Sequence, residues 1–256
     1  MKLARFTVEH PYISSAVFLL IFLFVLIVFA FLNLVFMAGL IEQVAIVDLI
    51  LGIIGVFLVM RLDWWGKAGY ATGIRLAQVP LFLLPCAFAL LAQGGGIHVT
   101  APLTIIFFAI LTAIVGFAEE TYFRGLILTA LLPTGTLRAV VISALLFAAL
   151  HLLNIFGGTW DPTYSVVDTV AAFGLGITYA TIRLRTGSIW PAVGIHAFFD
   201  FTAIISQGGI QVSEQSPQVL LMLVFTGIVC AIYGLFLLRD RKRDHITVSD
   251  TSTLLK

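Results

Sequence analysis

The sequence has few charged residues and almost no cysteine. Only 11% of its 256 residues are charged and 61% are hydrophobic, whereas a soluble domain has about 25% charged and just under half apolar residues. The formal net charge of +1 gives no field that would gather a polyanion. Cys86 and Cys230 both lie in apolar runs, which excludes a disulfide framework and a cysteine metal site. These scarcities exclude a soluble enzyme, a disordered chain and a nucleic-acid-binding protein, and leave an integral membrane protein.

Apolar runs bounded by glycine, proline or charged residues follow one another along the whole chain. They cover residues 13–39, 44–60, 77–93, 103–132, 137–155, 166–182, 189–206 and 218–238. About 20 residues span a bilayer as a helix, and none of the runs alternates as barrel strands do. We therefore predict an all-α fold, a polytopic transmembrane helical bundle of about eight spans. No repeat or linker divides the chain, so residues 1–256 are predicted to form a single integral membrane domain.

The basic residues predict how the bundle is oriented. If the first span begins on the cytoplasmic side, the cytoplasmic segments contain 13 of the 14 Lys and Arg residues. These are Lys2, Arg5, Arg61, Lys67, Arg75, Arg138, Arg183, Arg185, Arg239, Arg241, Lys242, Arg243 and Lys256. The outer loops then contain Glu42, His98, Asp161 and Glu214 but no Lys or Arg. Because cytoplasmic loops of membrane proteins are enriched in Lys and Arg, we predict that both termini are cytoplasmic.

A few ionisable side chains interrupt the spans. A charge at the bilayer centre costs about 2.5–3.5 kcal/mol, so such residues persist where they are paired, face a wet cavity or act in function. Asp168 is expected in the first turn of its helix, where the helix dipole favours an anion. Asp48, about one turn into the second span, is explained by the same effect only in part. The others are Glu119, Glu120, Arg124, His151, His196 and Asp200.

Spacing groups these residues. Glu120 and Arg124 are four residues apart, so they share a helix face and are predicted to form a salt bridge. Glu119 is rotated by about 100° from Glu120, so its carboxylate points elsewhere and is available for chemistry. The same spacing recurs in His196–Asp200 and in Phe147–His151, with Asn154 about one turn further along.

Depth in the membrane indicates that the polar groups meet. At about 1.5 Å per residue, Glu119, His151, His196 and Asp200 fall in one slab of the bilayer. A carboxylate, two imidazoles and an Asp around a cavity can activate water for attack on a carbonyl. Two other interpretations stay open. The polar residues could serve only as hydrogen bonds and an ion pair between helices, or the protein could be a proton-coupled carrier.

Three motifs give the chain a resemblance to a known family. Residues 119–124 match Glu-Glu-x-x-x-Arg, residues 147–151 match Phe-x-x-x-His, and residues 196–200 match His-x-x-x-Asn/Asp. In this order and on separate spans, they resemble the CPBP family of intramembrane endopeptidases. This family comprises type II CAAX prenyl endopeptidases and bacteriocin-processing or immunity proteins, also called Abi. The resemblance covers about residues 103–205, which we take as the catalytic core.

The resemblance implies a Glu-dependent membrane endopeptidase that acts on a peptide or membrane-protein substrate within the lipid bilayer. By this analogy Glu119 is the base that activates water, and His151 positions the water or a metal. His196 and Asp200 orient the substrate carbonyl or stabilise the oxyanion. The supporting residues are Glu120, Arg124, Phe147 and Asn154. The expected location is a prokaryotic cell membrane, with several spans.

Two points stay open within the resemblance. Asp200 stands where eukaryotic CAAX proteases have Asn, and a carboxylate donates no hydrogen bond unless it is protonated. This favours a role for Asp200 in holding His196 or a metal. Two His and a Glu can form a catalytic site for a divalent metal such as zinc with one water position, yet the same groups can work without metal. The alternative function is a non-proteolytic membrane scaffold or bacteriocin-immunity protein of the same fold.

Overall fold

A computed structural model describes residues 2–36, 39–91, 96–155, 161–210 and 216–243, and every long regular element in these ranges is a helix. The α-helices are α1 (Lys2–Glu9), α2 (Pro11–Phe36), α3 (Leu40–Arg61), α4 (Pro80–Leu91), α5 (Pro102–Glu120), α6 (Leu128–Leu131), α7 (Thr136–His151), α8 (Pro162–Thr186), α9 (Trp190–Gln207) and α10 (Pro217–Arg243). A π-helical segment, Thr121–Ile127, joins α5 to α6. The all-α prediction is confirmed; Glu214 and Lys256 lie outside the described residues.

Six helical segments are long and apolar enough to cross a membrane. They are Pro11–Leu32, Ile41–Arg61, Pro102–Thr134, Thr136–Ile155, Pro162–Thr186 and Pro217–Arg239. The two further runs predicted as spans correspond to α4, which has 12 residues, and to α9, which has 18. The multi-pass character is therefore established for six helices, whereas the number of eight stays a prediction.

The bundle has two chemically different ends. At one end, which we call the basic end, Arg183 donates a hydrogen bond to the carbonyl oxygen of Lys67. At the other end, the backbone N–H of His98 donates to the carbonyl oxygen of Ile205 over 2.9 Å, which ties the entry of α5 to the exit of α9. Among the described residues this opposite end carries no Lys or Arg. The distribution fits the positive-inside rule, and the cytoplasmic location of the basic end stays a prediction.

Helix α8 lies at the centre of the bundle. Of its apolar stretch 67% is buried, against 22–33% in the other five segments. It packs closely against α10 because Gly174 and Gly227 face each other, and a Cβ atom on Gly174 would collide with the backbone of Gly227. Small residues at such an interface let two helix backbones approach within a membrane. Helix α8 thereby presents side chains to α7 on one flank and to α9 on another.

This close approach gives a stability prediction. Gly174→Ala is expected to push α10 away from α8 and to destabilise the protein by about 1–3 kcal/mol, the usual cost of overpacking. The midpoint of thermal unfolding in detergent is the measurement. Gly194→Ala is the matched control, because a Cβ atom there meets open space and alanine favours a helix over glycine by up to about 1 kcal/mol. Equal midpoints for the two variants would contradict the packing described.

Candidate active site

The predicted acidic pair lies where an α-helix becomes a π-helix. Glu119 and Glu120 are the last residues of α5, and the π-helical segment that follows contains Arg124. All seven residues of that segment are buried. Single π-helical turns within α-helices are rare and frequently occur at functional sites, since they redirect side chains relative to a regular helix.

Glu120 and Arg124 form a fully buried ion pair. Arg124 Nη1 donates to Glu120 Oε1 over 2.7 Å, and both side chains have 0% exposure. The other guanidinium nitrogen, Nη2, donates to the carbonyl oxygen of Gly176 over 3.3 Å. The Arg124 guanidinium also lies 4.3 Å from the ring centroid of Phe147. The predicted salt bridge is therefore confirmed, and the charge of Glu120 is neutralised inside the bundle.

The imidazole of His196 is held between three carboxylates. Its Nδ1–H donates to Glu120 Oε1 over 2.9 Å. Its Nε2 lies 3.4 Å from Asp200 Oδ2 and 3.8 Å from Glu119 Oε2. The ring stacks on Tyr179 at a centroid distance of 5.6 Å. Glu120 thus fixes the orientation of the ring, and Nε2 is directed towards Glu119 and Asp200.

His151 lies next to the Phe147 ring, one turn further along α7. The Phe147 ring centroid is 4.9 Å from that of His151 and 5.6 Å from that of His196. His151 Nδ1 lies 3.1 Å from the carbonyl oxygen of Phe147 and can donate to it. This contact leaves Nε2 of His151 as the ring nitrogen available to a ligand.

These side chains surround one cavity of about 310 Å³. Helices α3, α5, α7, α8 and α9 all contribute to its wall. The predicted site residues that line it are Glu119, Phe147, His151, Asn154, His196 and Asp200. Glu120 and Arg124 support the wall from behind, through His196 and Phe147. The structure therefore brings the predicted residues together, while the catalytic roles assigned to them stay predictions.

Asp48 and Asp168 also line this cavity, and for both the position expected from the sequence is wrong. Asp168 is six residues beyond Pro162, the first residue of α8, and so lies in the second turn and not in the first. Asp48 is eight residues beyond Leu40, which is more than two turns into α3. Both helices begin earlier than the apolar runs; for α8 the reason is that Asp161 Oδ1 accepts the backbone N–H of Tyr164 over 2.9 Å and caps the helix. The dipole explanation for these two carboxylates accordingly fails.

Tyr179 is another cavity residue that the sequence did not reveal. It is 1% exposed, and its ring stacks on His196. A tyrosine in an apolar helix is ordinary in a bilayer protein, so no sequence signal distinguished it. The contact with His196 becomes evident only when α8 and α9 are packed together.

The donor atoms around the cavity are not arranged as a metal site. Within the part of the chain that the structure describes, no group of three or more His, Cys, Asp or Glu side chains could hold one metal ion. Zinc requires its nitrogen and oxygen ligands at about 2.0–2.2 Å from a shared centre. Glu120 occupies Nδ1 of His196, and the Phe147 carbonyl occupies Nδ1 of His151, so Nε2 is the nitrogen that each ring has left for a ligand. Metal dependence stays a prediction.

Comparison with known proteins agrees with this geometry. Residues 101–202 match the model of a family described as type II CAAX prenyl endopeptidase Rce1-like. No curated protein matches the chain significantly. The matched range contains all of the predicted site residues from Glu119 to Asp200 and nearly coincides with the predicted core of 103–205. The six apolar helices indicate a multi-pass integral membrane protein, and the matched family is one of CAAX-type proteases. The resemblance carried by the three motifs is thus confirmed, and over residues 101–202 the chain is similar to the Rce1-like type II CAAX prenyl endopeptidases.

Proposed function

We propose that the protein is an intramembrane endopeptidase that hydrolyses peptide bonds with a water molecule activated by Glu119. The observation that carries this proposal is the different environment of two adjacent carboxylates. Glu120 is buried and bonded to Arg124 and His196. Glu119 is 23% exposed, lines the cavity, and its Oε2 is 3.8 Å from the nearest His196 nitrogen. That spacing leaves room for a bridging water or a substrate oxygen.

In the first step Glu119 acts as the general base. A water molecule held between Glu119 and the substrate carbonyl gives a proton to the carboxylate, and its oxygen forms a bond to the carbonyl carbon. The carbonyl oxygen takes the negative charge of the resulting tetrahedral intermediate. In their protonated form His196 and His151, whose Nδ1–H groups are used by Glu120 and by the Phe147 carbonyl, each have an Nε2–H group that can donate to this oxyanion.

Asp200 acts on His196 and not on the oxyanion. As a carboxylate it accepts hydrogen bonds and cannot donate them, and its Oδ2 lies 3.4 Å from Nε2 of His196. Together with Glu120 on Nδ1, it stabilises the positive charge of the protonated imidazole. In the last step the carbon–nitrogen bond breaks, and the proton held by Glu119 passes to the leaving amine.

Cleavage by the purified protein tests the proposal. Full-length protein in detergent is incubated with peptide pools and with membrane proteins from cells that lack it, and new termini are identified by mass spectrometry. We expect cleavage at defined bonds. A carrier function would instead produce flux that depends on a pH gradient in liposomes. A scaffold or immunity function would persist without any cleavage, and failure to cut any substrate would contradict the proposal.

The same assay tests the metal dependence that the sequence left open. We expect cleavage to continue after treatment with EDTA, because every step above uses protein groups and water. Elemental analysis of the purified protein is the parallel measurement. Loss of cleavage with EDTA, recovery with zinc and about one zinc per chain would contradict the metal-free steps and support the zinc prediction.

A further inference from the structure

Three side chains that line the cavity have oxygen acceptors without partners. Asp48 is only 8% exposed, and in the described ranges it makes no hydrogen bond and no ion pair. The Oδ2 atom of Asp168 and the Oε1 atom of Gln207 are buried and have no hydrogen-bond partner there. Buried polar groups are rarely left in this state, since each lost hydrogen bond costs stability. The proposed hydrolytic steps use none of these acceptors.

The cavity carries more acidic than basic groups. Among the described residues, its wall contains the carboxylates of Asp48, Glu119, Asp168 and Asp200, against the imidazoles of His151 and His196 and no Lys or Arg. Neither Asp48 nor Asp168 has an arginine partner of the kind that Glu120 has. A ligand that brings positive charge would offset this excess.

The unpartnered acceptors lie between Glu119 and the opposite end of the bundle. At about 1.5 Å per residue, Asp48 is about 12 Å from the start of α3 and Asp168 about 9 Å from the start of α8. Gln207 is the last residue of α9 at the same end. Glu119 lies deeper, about 26 Å from the start of α5. A peptide that reaches Glu119 from this end would pass these acceptors.

We propose that Asp48 and Asp168, with Gln207, bind a cationic nitrogen group of the substrate, an ammonium or a guanidinium, in the part of the cavity between Glu119 and the opposite end of the bundle. The inference rests on the proposed endopeptidase function. Ammonium offers three donors and guanidinium five, and neither has an acceptor, so both complement a wall of acceptors alone. A divalent ion fits less well, because no group of three ligating side chains in the described residues could hold it. The cation belongs to a Lys or Arg side chain or to a peptide N-terminus.

The test compares peptide pools that differ at one position. The pools carry Lys, Arg or their uncharged counterparts norleucine and citrulline, each with a free and an acetylated N-terminus. We expect the full-length protein to cleave the cationic pools with a kcat/KM about tenfold higher or more, as for a charge-assisted hydrogen bond. In Asp48→Asn and Asp168→Asn this preference is expected to fall below about threefold. If the peptides with a free N-terminus are preferred over the acetylated ones whatever the side chain, the N-terminal ammonium is the ligand.

Asp161→Asn is the matched control. Asp161 caps α8 on the same helix as Asp168 but does not line the cavity, and Asn caps a helix as well as Asp does. The preference should survive in this variant. Cleavage by the wild-type protein without a preference, or a preference retained in both Asp48→Asn and Asp168→Asn, would overturn the assignment.

A binding measurement separates this inference from the proposed function. The full-length Glu119→Gln variant is titrated with the same pools, and about tenfold tighter binding of the cationic ones is expected. A binding preference without cleavage by the wild-type protein would support the cation subsite and refute the endopeptidase function. Cleavage by the wild-type protein with no preference in rate or in binding would support the endopeptidase function and refute the cation subsite. Equal binding of charged and uncharged pools would overturn the subsite.

Discussion

Replacing Glu119 by Gln is expected to lower kcat/KM by about 10³-fold or more while the protein remains folded. General-base catalysis contributes about 10²–10⁴-fold to a rate, and the Gln amide has nearly the size of the carboxylate but cannot accept the proton of water. The fold should tolerate the change because Glu119 is 23% exposed and its closest ionic contact, to His196, is 3.8 Å long. The measurement is the rate of peptide cleavage by protein whose thermal midpoint is unchanged.

Glu9→Gln is the control for this result. Glu9 is an exposed carboxylate of α1 that pairs with Arg5 outside the site, so its removal should leave the cleavage rate unchanged. A second comparison is Glu120→Gln, which removes the ion pair with Arg124 and weakens the bond to His196 Nδ1, because an amide oxygen is a weaker acceptor than a carboxylate. This variant should lose stability as well as rate. Full activity of Glu119→Gln would refute the role given to this residue.

Replacing Arg124 by Met is expected to have the largest effect on stability, about 3–5 kcal/mol of lost unfolding free energy. Glu120 would remain fully buried without the guanidinium that lies 2.7 Å from its Oε1. The contact of Arg124 with the Phe147 ring, at 4.3 Å, would be lost at the same time. Thermal unfolding in detergent and the yield of folded protein are the measurements.

The chain contains a matched exposed pair for this comparison. Arg5 and Glu9 are also four residues apart and 2.8 Å from each other, but their side chains are 76% and 46% exposed. Arg5→Met should therefore leave stability unchanged. The double variant Arg124→Met with Glu120→Gln should be more stable than Arg124→Met alone, because no charge is then buried without a partner. Equal stabilities of Arg5→Met and Arg124→Met would contradict the structural importance of the buried pair.

Much of the fold and of the catalytic side of the cavity could be predicted from the sequence. In an apolar chain each charge within a span is costly, and so the few that remain are informative. The i,i+4 spacing alone distinguished Glu120, which pairs with Arg124, from Glu119, which does not. That separation holds in the structure, although the π-helical turn after Glu120 has no signal in the composition.

Asp48 and Asp168 show why the remainder could not be predicted. Both were placed relative to the first apolar residue of a run, whereas the helices begin earlier, at Leu40 and at Pro162. For α8 the sequence did contain a usable signal, since Asp161 followed by Pro162 is a capping residue before a first-turn proline. For α3 the cap is Gly39 without a side-chain hydrogen bond, so no comparable signal existed. Which helix faces meet at the cavity is decided by tertiary packing, as at Gly174, and that packing is not periodic in the sequence.

The central claim is that Glu119 activates water and does not itself attack the substrate, and a single turnover in ¹⁸O-labelled water tests it most directly. The protein is mixed in excess with a cleavable peptide. Mass spectrometry then measures the mass of the cleavage product and the mass of the fragment of the protein that includes Glu119. Direct attack by water predicts one ¹⁸O atom in the new carboxylate of the product and none in Glu119. An unlabelled product carboxylate together with ¹⁸O in Glu119 would show an acyl intermediate on that residue and would contradict the account.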